Sequence, residues 1–219
     1  MEKRKKLYPE SGVELRPLVA RFYDSWMNIF SLGFYKQFIN KAIAEIKLQP
    51  DDAILDLGCG TGRNAALMLN YLNHRGRLVG MDISPIMKKQ FEKRFRNDKR
   101  VRFIQQRIDA PFQLDETFSV VFISFVLHGF PQNVREIILD NVQRHLKKGG
   151  KFVLLDFAEF DMNIMPWLHR FIFTHVECPY AFDFIKRDWK KLLEERNFSL
   201  LQETFYVKNY VRLLQTIKK

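Results

Sequence analysis

The stretch Ile54-Leu55-Asp56-Leu57-Gly58-Cys59-Gly60-Thr61-Gly62 decides the fold of this chain. Apolar residues lead into a carboxylate, three glycines follow at alternate positions, and an apolar-periodic segment covers residues 63–72. This pattern predicts a buried strand, a tight glycine loop and the first turns of a helix. Glycine lets a ligand approach the backbone closely, and a helix N-terminus presents unpaired N–H groups. We therefore expect a ligand-binding loop; a glycine-rich turn that binds nothing is the alternative.

The spacing of the glycines and of two acids indicates which ligand the loop takes. A dinucleotide-binding loop has the pattern G-x-G-x-x-G, whereas Gly62 comes one residue earlier than that pattern requires. Asp56, two residues before Gly58, suits a positively charged group such as the amino group of an amino acid. A second predicted strand, residues 77–81, leads into Asp82, where an acidic side chain can accept from both hydroxyls of a ribose. These features favour S-adenosylmethionine over NAD.

Length and composition are those of one soluble globular domain. The chain has 219 residues, of which 47% are hydrophobic and 28% charged. No apolar run reaches the roughly 18 residues that a membrane-spanning helix needs, and no apolar signal core follows the basic residues 1–6. The two cysteines, Cys59 and Cys178, favour a reducing compartment over a disulfide framework. We therefore predict a cytoplasmic location.

The formal net charge of +11 allows nucleic acid, an anionic membrane surface or an acidic substrate as partner. A basic surface that is only solvated is the other interpretation. The cations concentrate in residues 3–6 and in a second cluster that begins in a predicted helix at residues 85–96. The second cluster consists of Lys88, Lys89, Lys93, Arg94, Arg96, Lys99, Arg100 and Arg102.

Strands and helices alternate through the middle of the chain, and this alternation predicts an α/β fold with a parallel sheet. The further strands are predicted at residues 101–105, 118–125, 151–156, 198–207 and 210–217. The further helices are predicted at residues 15–30, 34–46, 134–146 and 188–196. The last two strands are expected to form a hairpin with Lys208-Asn209 as its turn. Residues 147–150, two lysines and two glycines, are expected to close the helix before the fifth strand.

Ligands of parallel sheets bind outside the carboxyl ends of the strands. Five polar side chains fall at or just after a predicted strand end, and we expect them along one edge of the sheet. They are Asp56, Asp82, Asp109, Ser124 and Asp156.

At these residues the chain resembles the class I S-adenosylmethionine-dependent methyltransferases. The stretch from Asp56 to Gly62 is similar to their first motif, and Met81-Asp82-Ile83-Ser84 is similar to their second. The resemblance implies a Rossmann-like fold: a mostly parallel seven-stranded sheet, helices on both faces and a C-terminal antiparallel hairpin. It also implies S-adenosylmethionine as cofactor, with Asp109 accepting from the adenine amino group. The cofactor-binding residues that we predict are Tyr23, Asp56, Gly58, Cys59, Gly60, Asp82, Ile83, Met87, Asp109, Ala110 and Ser124.

A narrower resemblance, to the C-methyltransferases of ubiquinone and menaquinone biosynthesis, rests on two further stretches. Tyr23-Asp24, Met27-Asn28, Ser31 and Gly33 resemble the opening of that group, and residues 144–157 resemble a second signature. Residues 124–130 follow a generic pattern instead. With the glycine loop, the similarity spans roughly residues 20–157. It implies a small apolar, quinone-like acceptor that is methylated in line.

We predict a single methyltransferase domain over residues 1–219. Its parts are an N-terminal helical cap (residues 1–50), a cofactor-binding core (51–157), an acceptor-side cap insertion (158–184) and a C-terminal helix with hairpin (185–219). The insertion is rich in aromatic residues and directly follows a strand end that should face the ligand. Ordinary core packing of a connecting helix is the alternative interpretation of this insertion.

A methyltransferase can use a general base to raise the nucleophilicity of its acceptor. His128, at the end of the fourth predicted strand, is the first candidate for this base, and Asp156 is the second. His169 and His175 in the cap come next. A packed or surface imidazole is the alternative for each histidine. No metal-ligand spacing and no serine or cysteine nucleophile motif is present, so we predict no metal.

Three functions are compatible with the sequence. The aromatic cap supports methylation of a small apolar acceptor, and the basic surface would then suit an anionic bilayer. The positive charge also allows methylation of RNA, although the fourth strand lacks the Asn/Asp-Pro-Pro-Tyr ending of amino-group methylases. A non-catalytic module that binds the cofactor is the third hypothesis.

Overall fold

The computed structural model describes Tyr8, Ser11 and residues 34–219. The predicted helix at residues 15–30 and the predicted cofactor contact Tyr23 lie outside the described residues. Seven strands of the described part form one sheet in the order β3-β2-β1-β4-β5-β7-β6. The strands are β1 (Ala53–Leu57), β2 (Arg77–Asp82), β3 (Val101–Gln105), β4 (Phe118–Ser124), β5 (Leu146–Phe157), β6 (Phe198–Tyr206) and β7 (Val211–Lys218).

The sheet is parallel except at its C-terminal edge. The strands β3, β2, β1, β4 and β5 pair in parallel, whereas β7 is antiparallel to both β5 and β6. The central strands are buried on both faces, as their continuous apolar runs indicate: every residue of β1 is buried. The predicted fold class is therefore confirmed, including the terminal hairpin with one antiparallel strand.

Helices cover both faces of this sheet and are numbered here within the described part. They are α1 (Phe34–Glu45), α2 (Arg63–Met68), α3 (Pro85–Arg94), α4 (Gln132–His145), α5 (Trp167–Val176), α6 (Pro179–Phe184) and α7 (Trp189–Glu194). The first three helices contribute to one apolar cluster, with Ile43, Met68 and Phe91 among its members. The other four contribute to a second cluster on the opposite face, with Leu139 and Trp189 among its members. Each helix of the described residues is too short or too polar to cross a membrane.

The prediction that residues 147–150 close a helix is wrong. The helix α4 ends at His145, and Leu146 is already extended and pairs with Phe118 of β4. The two lysines and two glycines instead form an irregular first part of β5, where the pairing with β4 shifts in register. The helix end is stabilised from another element, because the ammonium group of Lys218 donates to the carbonyl oxygens of Gln143 and Leu146.

Candidate active site

The glycine loop at residues 58–62 connects β1 to α2 and is tied to the neighbouring strand β2. The backbone N–H groups of Gly58 and Cys59 both donate to the carbonyl oxygen of Met81, at 2.8 and 3.1 Å. Gly58 has a φ of +75°, and a Cβ atom there would lie 2.6 Å from a methyl group of Val126. Glycine is strongly favoured at this position, because the positive φ strains other residues and a Cβ atom would have to displace Val126. The loop is thus shaped by its neighbours on both sides of β1.

Asp82, the last residue of β2, holds the loop with its carboxylate. Its Oδ2 atom accepts from the N–H of Gly60 at 3.0 Å, and its Oδ1 atom accepts from the N–H of Ser84 at 2.8 Å. Burial raises the pKa of Asp82, and these hydrogen bonds partly oppose the increase. Each oxygen keeps a further acceptor position, which suits the hydroxyls of a ribose. Ile83 and Met87 follow Asp82 closely, and Met87 is buried in the first turn of α3.

Asp56 in β1 is a buried carboxyl group, 2% exposed. Its Oδ2 atom has no hydrogen-bond partner among the described residues. Burial, and next the charge of Asp82, raise the pKa of Asp56 to about 8. Burial is also the main cause that raises the pKa of the neighbouring Cys59 thiol. An ammonium group beside Asp56 would supply the missing donor and the missing positive charge.

Another of the buried polar atoms that lack a hydrogen-bond partner in the described part of the chain lies at the end of the neighbouring strand β4. It is the hydroxyl oxygen of Ser124, the last residue of β4, and β4 pairs directly with β1. A Cβ atom built on Gly60 would meet nothing within 4 Å, so the backbone is open to a ligand there. These features fit S-adenosylmethionine: Asp56 would hold its ammonium group, Asp82 its ribose, and the glycine loop its amino-acid tail.

Asp109 and Ala110 lie in the loop after β3. The Asp109 side chain is 5% exposed and forms an ion pair with Arg107, with 2.6 Å between Oδ2 and Nη2. Asn141 of α4 donates from its amide nitrogen to the carbonyl oxygen of Ala110 at 2.9 Å, which fixes the loop against the helix. The acid therefore has a cationic partner within its own loop, and its contact with adenine stays a prediction.

His128 and Asp156 form a hydrogen-bonded pair at the carboxyl ends of β4 and β5. The distance from His128 Nδ1 to Asp156 Oδ1 is 2.6 Å, and the N–H of His128 donates to Asp156 Oδ2 at 3.2 Å. The N–H of Phe157 donates to Oδ1 at 2.9 Å, so the carboxylate accepts three hydrogen bonds. Since a carboxylate is an acceptor, the Nδ1 atom carries the hydrogen. The Nε2 atom of His128 therefore remains available to exchange a proton.

Glu177 gives the imidazole a second acidic neighbour. Its Oε2 atom lies 3.6 Å from Nε2 of His128. Burial lowers the pKa of His128, but the charges of Asp156 and Glu177 and the hydrogen bond that His128 donates to Asp156 outweigh it and raise the pKa overall. Burial is also the main cause that raises the pKa of Glu177. The imidazole is consequently a stronger base than a free histidine.

Arg135 of α4 supports the short helical turn that carries His128. Its guanidinium group is fully buried and donates to the carbonyl oxygens of Leu127 and His128, both at 3.3 Å. The same group donates to the carbonyl oxygen of Tyr180 at 2.6 Å and forms an ion pair with Asp183 at 2.6 Å. Arg135 thereby joins the His128 turn to α6 in the predicted cap.

Aromatic rings surround the His128–Asp156 pair. The ring centroid of Phe157 lies 4.9 Å from that of His128, and the centroid of Phe184 lies 6.4 Å from it. Phe173 of α5 contacts Phe157 at 5.1 Å and Phe182 at 5.6 Å. The polar pair thus faces an apolar, aromatic environment that α5 and α6 provide.

The other two candidate histidines lie in different surroundings. The Nδ1 atom of His169 lies 3.1 Å from the hydroxyl oxygen of Tyr210. The Nδ1 atom of His175 lies 2.7 Å from the carbonyl oxygen of Phe171 in the same helix, and this contact is exposed to solvent. Neither histidine contacts the His128–Asp156 pair in the described part of the chain.

Sequence reasoning missed two charged residues of the site, Glu177 and Arg135. Glu177 follows the end of α5, and its spacing does not distinguish it from the other acids of the aromatic segment, Glu159, Asp161 and Asp183. Arg135 lies in a helix whose polar face would ordinarily be solvated. The available signal was weak in both cases: an ionisable residue in a segment expected to be buried needs a partner.

Comparisons with known proteins identify the family of this chain. A family model described as a methyltransferase domain matches residues 54–150. A demethylmenaquinone methyltransferase from Lactiplantibacillus plantarum is 31% identical over 162 residues, which cover 72% of this chain and 67% of that protein. A ubiquinone/menaquinone biosynthesis C-methyltransferase, UbiE, from Xanthomonas campestris is 32% identical over 145 residues, which cover 64% of this chain and 56% of that protein.

Solved structures show the same fold. The magnesium protoporphyrin IX methyltransferase of Synechocystis with bound SAH superposes with a TM-score of 0.64 at 17% identity, covering 84% of each chain. The glycopeptide N-methyltransferase MtfA complexed with S-adenosylmethionine superposes with a TM-score of 0.60 at 16% identity, covering 83% of this chain and 87% of that chain. The chain therefore belongs to the class I S-adenosylmethionine-dependent methyltransferases, and it is an enzyme that uses S-adenosylmethionine as methyl donor.

Proposed function

We propose that this methyltransferase acts on a small apolar acceptor that carries a ring hydroxyl, of the quinol type, with His128 as general base and Asp156 as its partner. The observation that carries the proposal is the hydrogen-bonded His128–Asp156 pair at the strand ends, enclosed by aromatic rings. The relatives named as demethylmenaquinone and ubiquinone/menaquinone methyltransferases support this class of acceptor.

The proposed chemistry divides between cofactor and protein. Bound S-adenosylmethionine supplies a methyl group that its sulfonium already activates. The chain has to hold the acceptor in line and accept the proton of its hydroxyl group. We assign the proton to Nε2 of His128, while Asp156 stabilises the resulting imidazolium through Nδ1. Without its proton the acceptor ring carries more negative charge and is a stronger nucleophile.

The aromatic segment at residues 158–184 acts in this proposal as the acceptor-side cap. Phe173 and Phe182 bring apolar surface towards the His128 side of the site. An apolar ring binds such surface favourably, and a covered site excludes water from the reacting atoms. The glycine loop and the acids Asp56 and Asp82 act in turn as the cofactor side of the same site.

A methyl-transfer assay tests this function. The full chain is incubated with methyl-labelled S-adenosylmethionine and, in separate reactions, a reduced naphthoquinone, a reduced benzoquinone or bulk RNA. We expect label in the organic extract of a quinol reaction, and a rate about 100-fold lower for His128→Ala. His175→Ala, in the exposed part of the cap, is the matched control and should keep the wild-type rate. Label in RNA alone, or full activity of His128→Ala, would contradict the proposal.

We further propose that the enzyme meets its apolar acceptor at an anionic membrane surface, through α5. This helix and the turn before it expose large apolar side chains, and Trp167 is 74% exposed. The net charge of +11 suits an anionic bilayer. The same helix carries Phe173 towards His128 on its other side. The exposed apolar residues are Ile164, Trp167, Leu168, Phe171, Ile172 and Val176.

Flotation with phosphatidylglycerol vesicles tests the membrane contact. The full chain should float with these vesicles but not with phosphatidylcholine vesicles. The double variant Trp167→Ser with Phe171→Ser should remain in the soluble fraction. The matched control is Leu200→Ser with Leu201→Ser, two exposed apolar residues of the edge strand β6. Equal flotation of both double variants would contradict a role for α5.

A further inference from the structure

The carboxyl group of Glu177 approaches the free side of His128 from the cap. Glu177 directly follows α5, and its N–H donates to the carbonyl oxygen of Phe173 at 3.0 Å, which fixes the helix end. The side chains of His128 and Glu177 are 14% and 22% exposed, so neither is fully enclosed by the protein. Their separation of 3.6 Å, from Nε2 to Oε2, is too long for a direct hydrogen bond.

This separation lets one hydroxyl group contact both atoms. An oxygen placed about 2.8 Å from Nε2 and from Oε2 can share one hydrogen between them in a three-centre hydrogen bond, and the three heavy atoms then form a triangle with the 3.6 Å separation as its base. A hydroxyl group satisfies such a position, because Nε2 of His128 and the carboxylate of Glu177 are both acceptors and the hydroxyl supplies the hydrogen that they share. An ether oxygen or a methyl group does not, because neither has a hydrogen to donate.

We propose that His128 and Glu177 together bind the ring hydroxyl of the acceptor, which makes Glu177 an acceptor-binding residue of this enzyme. This inference rests on the proposed function, because it assumes that the acceptor is a hydroxyl-bearing ring. When the hydroxyl ionises, its bonding electron pair stays on the oxygen. The proton moves to Nε2 of His128, where the carboxylate of Glu177 stabilises the positive charge.

The charges around this position favour such a transfer. The groups that face the imidazole are Asp156 on β5, Glu177 after α5 and Arg135 on α4. The thiol of Cys178 lies 4.0 Å from the carbonyl oxygen of His128. The two carboxylates raise the pKa of His128 beyond the lowering by burial and by Arg135. The positive charge that forms on His128 is thus opposed by one cation and favoured by two acids.

Arg135 connects the turn that carries His128 to the segment that carries Glu177. One Nη2 atom donates to the carbonyl oxygen of His128 at 3.3 Å and to that of Tyr180 at 2.6 Å. Tyr180 lies three residues beyond Glu177, in the first turn of α6. The turn with His128 and the segment with Glu177 are therefore attached to the same buried side chain. Because the distance between His128 and Glu177 is then fixed before binding, the acceptor binds without the entropic cost of ordering these two side chains.

The first experiment measures the pKa of His128 by NMR in the full chain saturated with S-adenosylhomocysteine. Glu177→Gln keeps the size of the side chain and removes its charge, so the pKa should fall by about one unit. Glu177→Asp keeps the charge and should retain most of the raised pKa. Glu194→Gln, an exposed acid at the end of α7, is the matched control and should leave the pKa unchanged. An unchanged pKa in Glu177→Gln overturns the inference.

The second experiment compares two ring compounds that differ only in the hydroxyl group, 1-naphthol and 1-methoxynaphthalene. Both are titrated into the same complex of the chain with S-adenosylhomocysteine. We expect Glu177→Gln to weaken the binding of 1-naphthol about tenfold or more and to leave 1-methoxynaphthalene unaffected. Equal losses for both compounds, or no binding of 1-naphthol by the wild type, overturns the inference. Neither experiment requires methyl transfer, so its outcome is separate from the activity test with quinols.

Discussion

Asp56→Asn is expected to stabilise the free protein and to weaken its binding of S-adenosylhomocysteine. The buried carboxyl group of Asp56 lacks a partner for Oδ2 in the described residues, and its pKa is raised from 3.8 to about 8. A neutral amide of the same shape removes the tendency to form an unpaired buried charge. It also removes the charge that we expect to hold the ammonium group of the ligand.

The raised pKa of Asp56 determines how both effects depend on pH. Between pH 3.8 and about 8 the folded state holds a proton that the unfolded state has lost. The free energy of unfolding therefore falls as pH rises through this window, by about 1.4 kcal/mol per pH unit from this group alone. Below pH 3.8 both states are protonated, and above pH 8 both are ionised, so the slope disappears. Asp56→Asn should lack this slope.

Ligand binding should show the opposite trend. If the ammonium group binds the ionised form of Asp56, binding releases the proton held at neutral pH. The affinity should then rise about tenfold per pH unit from pH 6 to pH 7 and level off above about pH 8. At pH 7 about 0.9 proton should be released per ligand bound, because the group is mostly protonated one unit below its pKa.

Isothermal titration calorimetry with S-adenosylhomocysteine measures both quantities. Titrations at pH 6, 7, 8 and 9, each in two buffers of different ionisation enthalpy, give the affinity and the number of protons released. Asp56→Asn should bind about 10- to 100-fold more weakly at pH 8 and should release no proton from this group. Because Asp56→Asn lacks the carboxyl group, its titrations also report any ionisation of the ligand's own amino group. The same pH dependence in both proteins would refute the reasoning.

Three further variants test other parts of the site. Asp156→Asn should lower the rate of methyl transfer about 100-fold or more while the affinity for S-adenosylhomocysteine is kept, because it removes the partner of His128; unchanged kcat would contradict this. Gly58→Ala should lower that affinity and the melting temperature, because its Cβ would lie 2.6 Å from Val126; calorimetry and thermal unfolding measure both. Arg135→Met should lower the free energy of unfolding, measured by urea denaturation, by about 2–4 kcal/mol, because three carbonyl oxygens lose a buried donor. A loss below 1 kcal/mol would contradict the view that Arg135 holds the His128 turn against α6.

The cofactor side of the site is the part that the sequence predicts best. Asp56, Gly58 and Asp82 belong to one continuous strand–loop–helix–strand unit, and the backbone geometry of such a unit follows from local patterns. The loop hydrogen bonds to Met81 and Asp82 join residues only about 22 positions apart. The alternation of strands and helices then predicted the parallel sheet, and its carboxyl edge stays the predicted ligand-binding edge.

The acceptor side depends on contacts that no local pattern encodes. The sequence suggested His128 and Asp156 separately, but their hydrogen bond joins two strand ends that only the folded sheet brings together. Glu177 meets His128 across 49 positions of the chain. Arg135 meets Tyr180 across 45 positions. Periodicity reports which face of an element is buried but not which distant side chain it meets there.

The wrong helix end at residues 147–150 has the same physical origin. Lysine and glycine at that position are ordinary helix-closing residues. Here, however, Lys218 from the last strand stabilises the end of α4, and Leu146 enters the sheet opposite Phe118. The end of α4 is thus determined by a contact with the far end of the chain and not by the lysines and glycines that follow the helix.

A crystal structure of the full chain with S-adenosylhomocysteine tests the central claim most directly: the acids at the strand ends hold the cofactor, and His128 faces the acceptor beyond it. We expect the ligand's ammonium group within hydrogen-bond distance of Asp56, its ribose hydroxyls on Asp82, and an open space lined by Phe157 and Phe173 between its sulfur and His128. A ligand bound away from Asp56 and Asp82, or a space beyond the sulfur filled by side chains, would contradict the account.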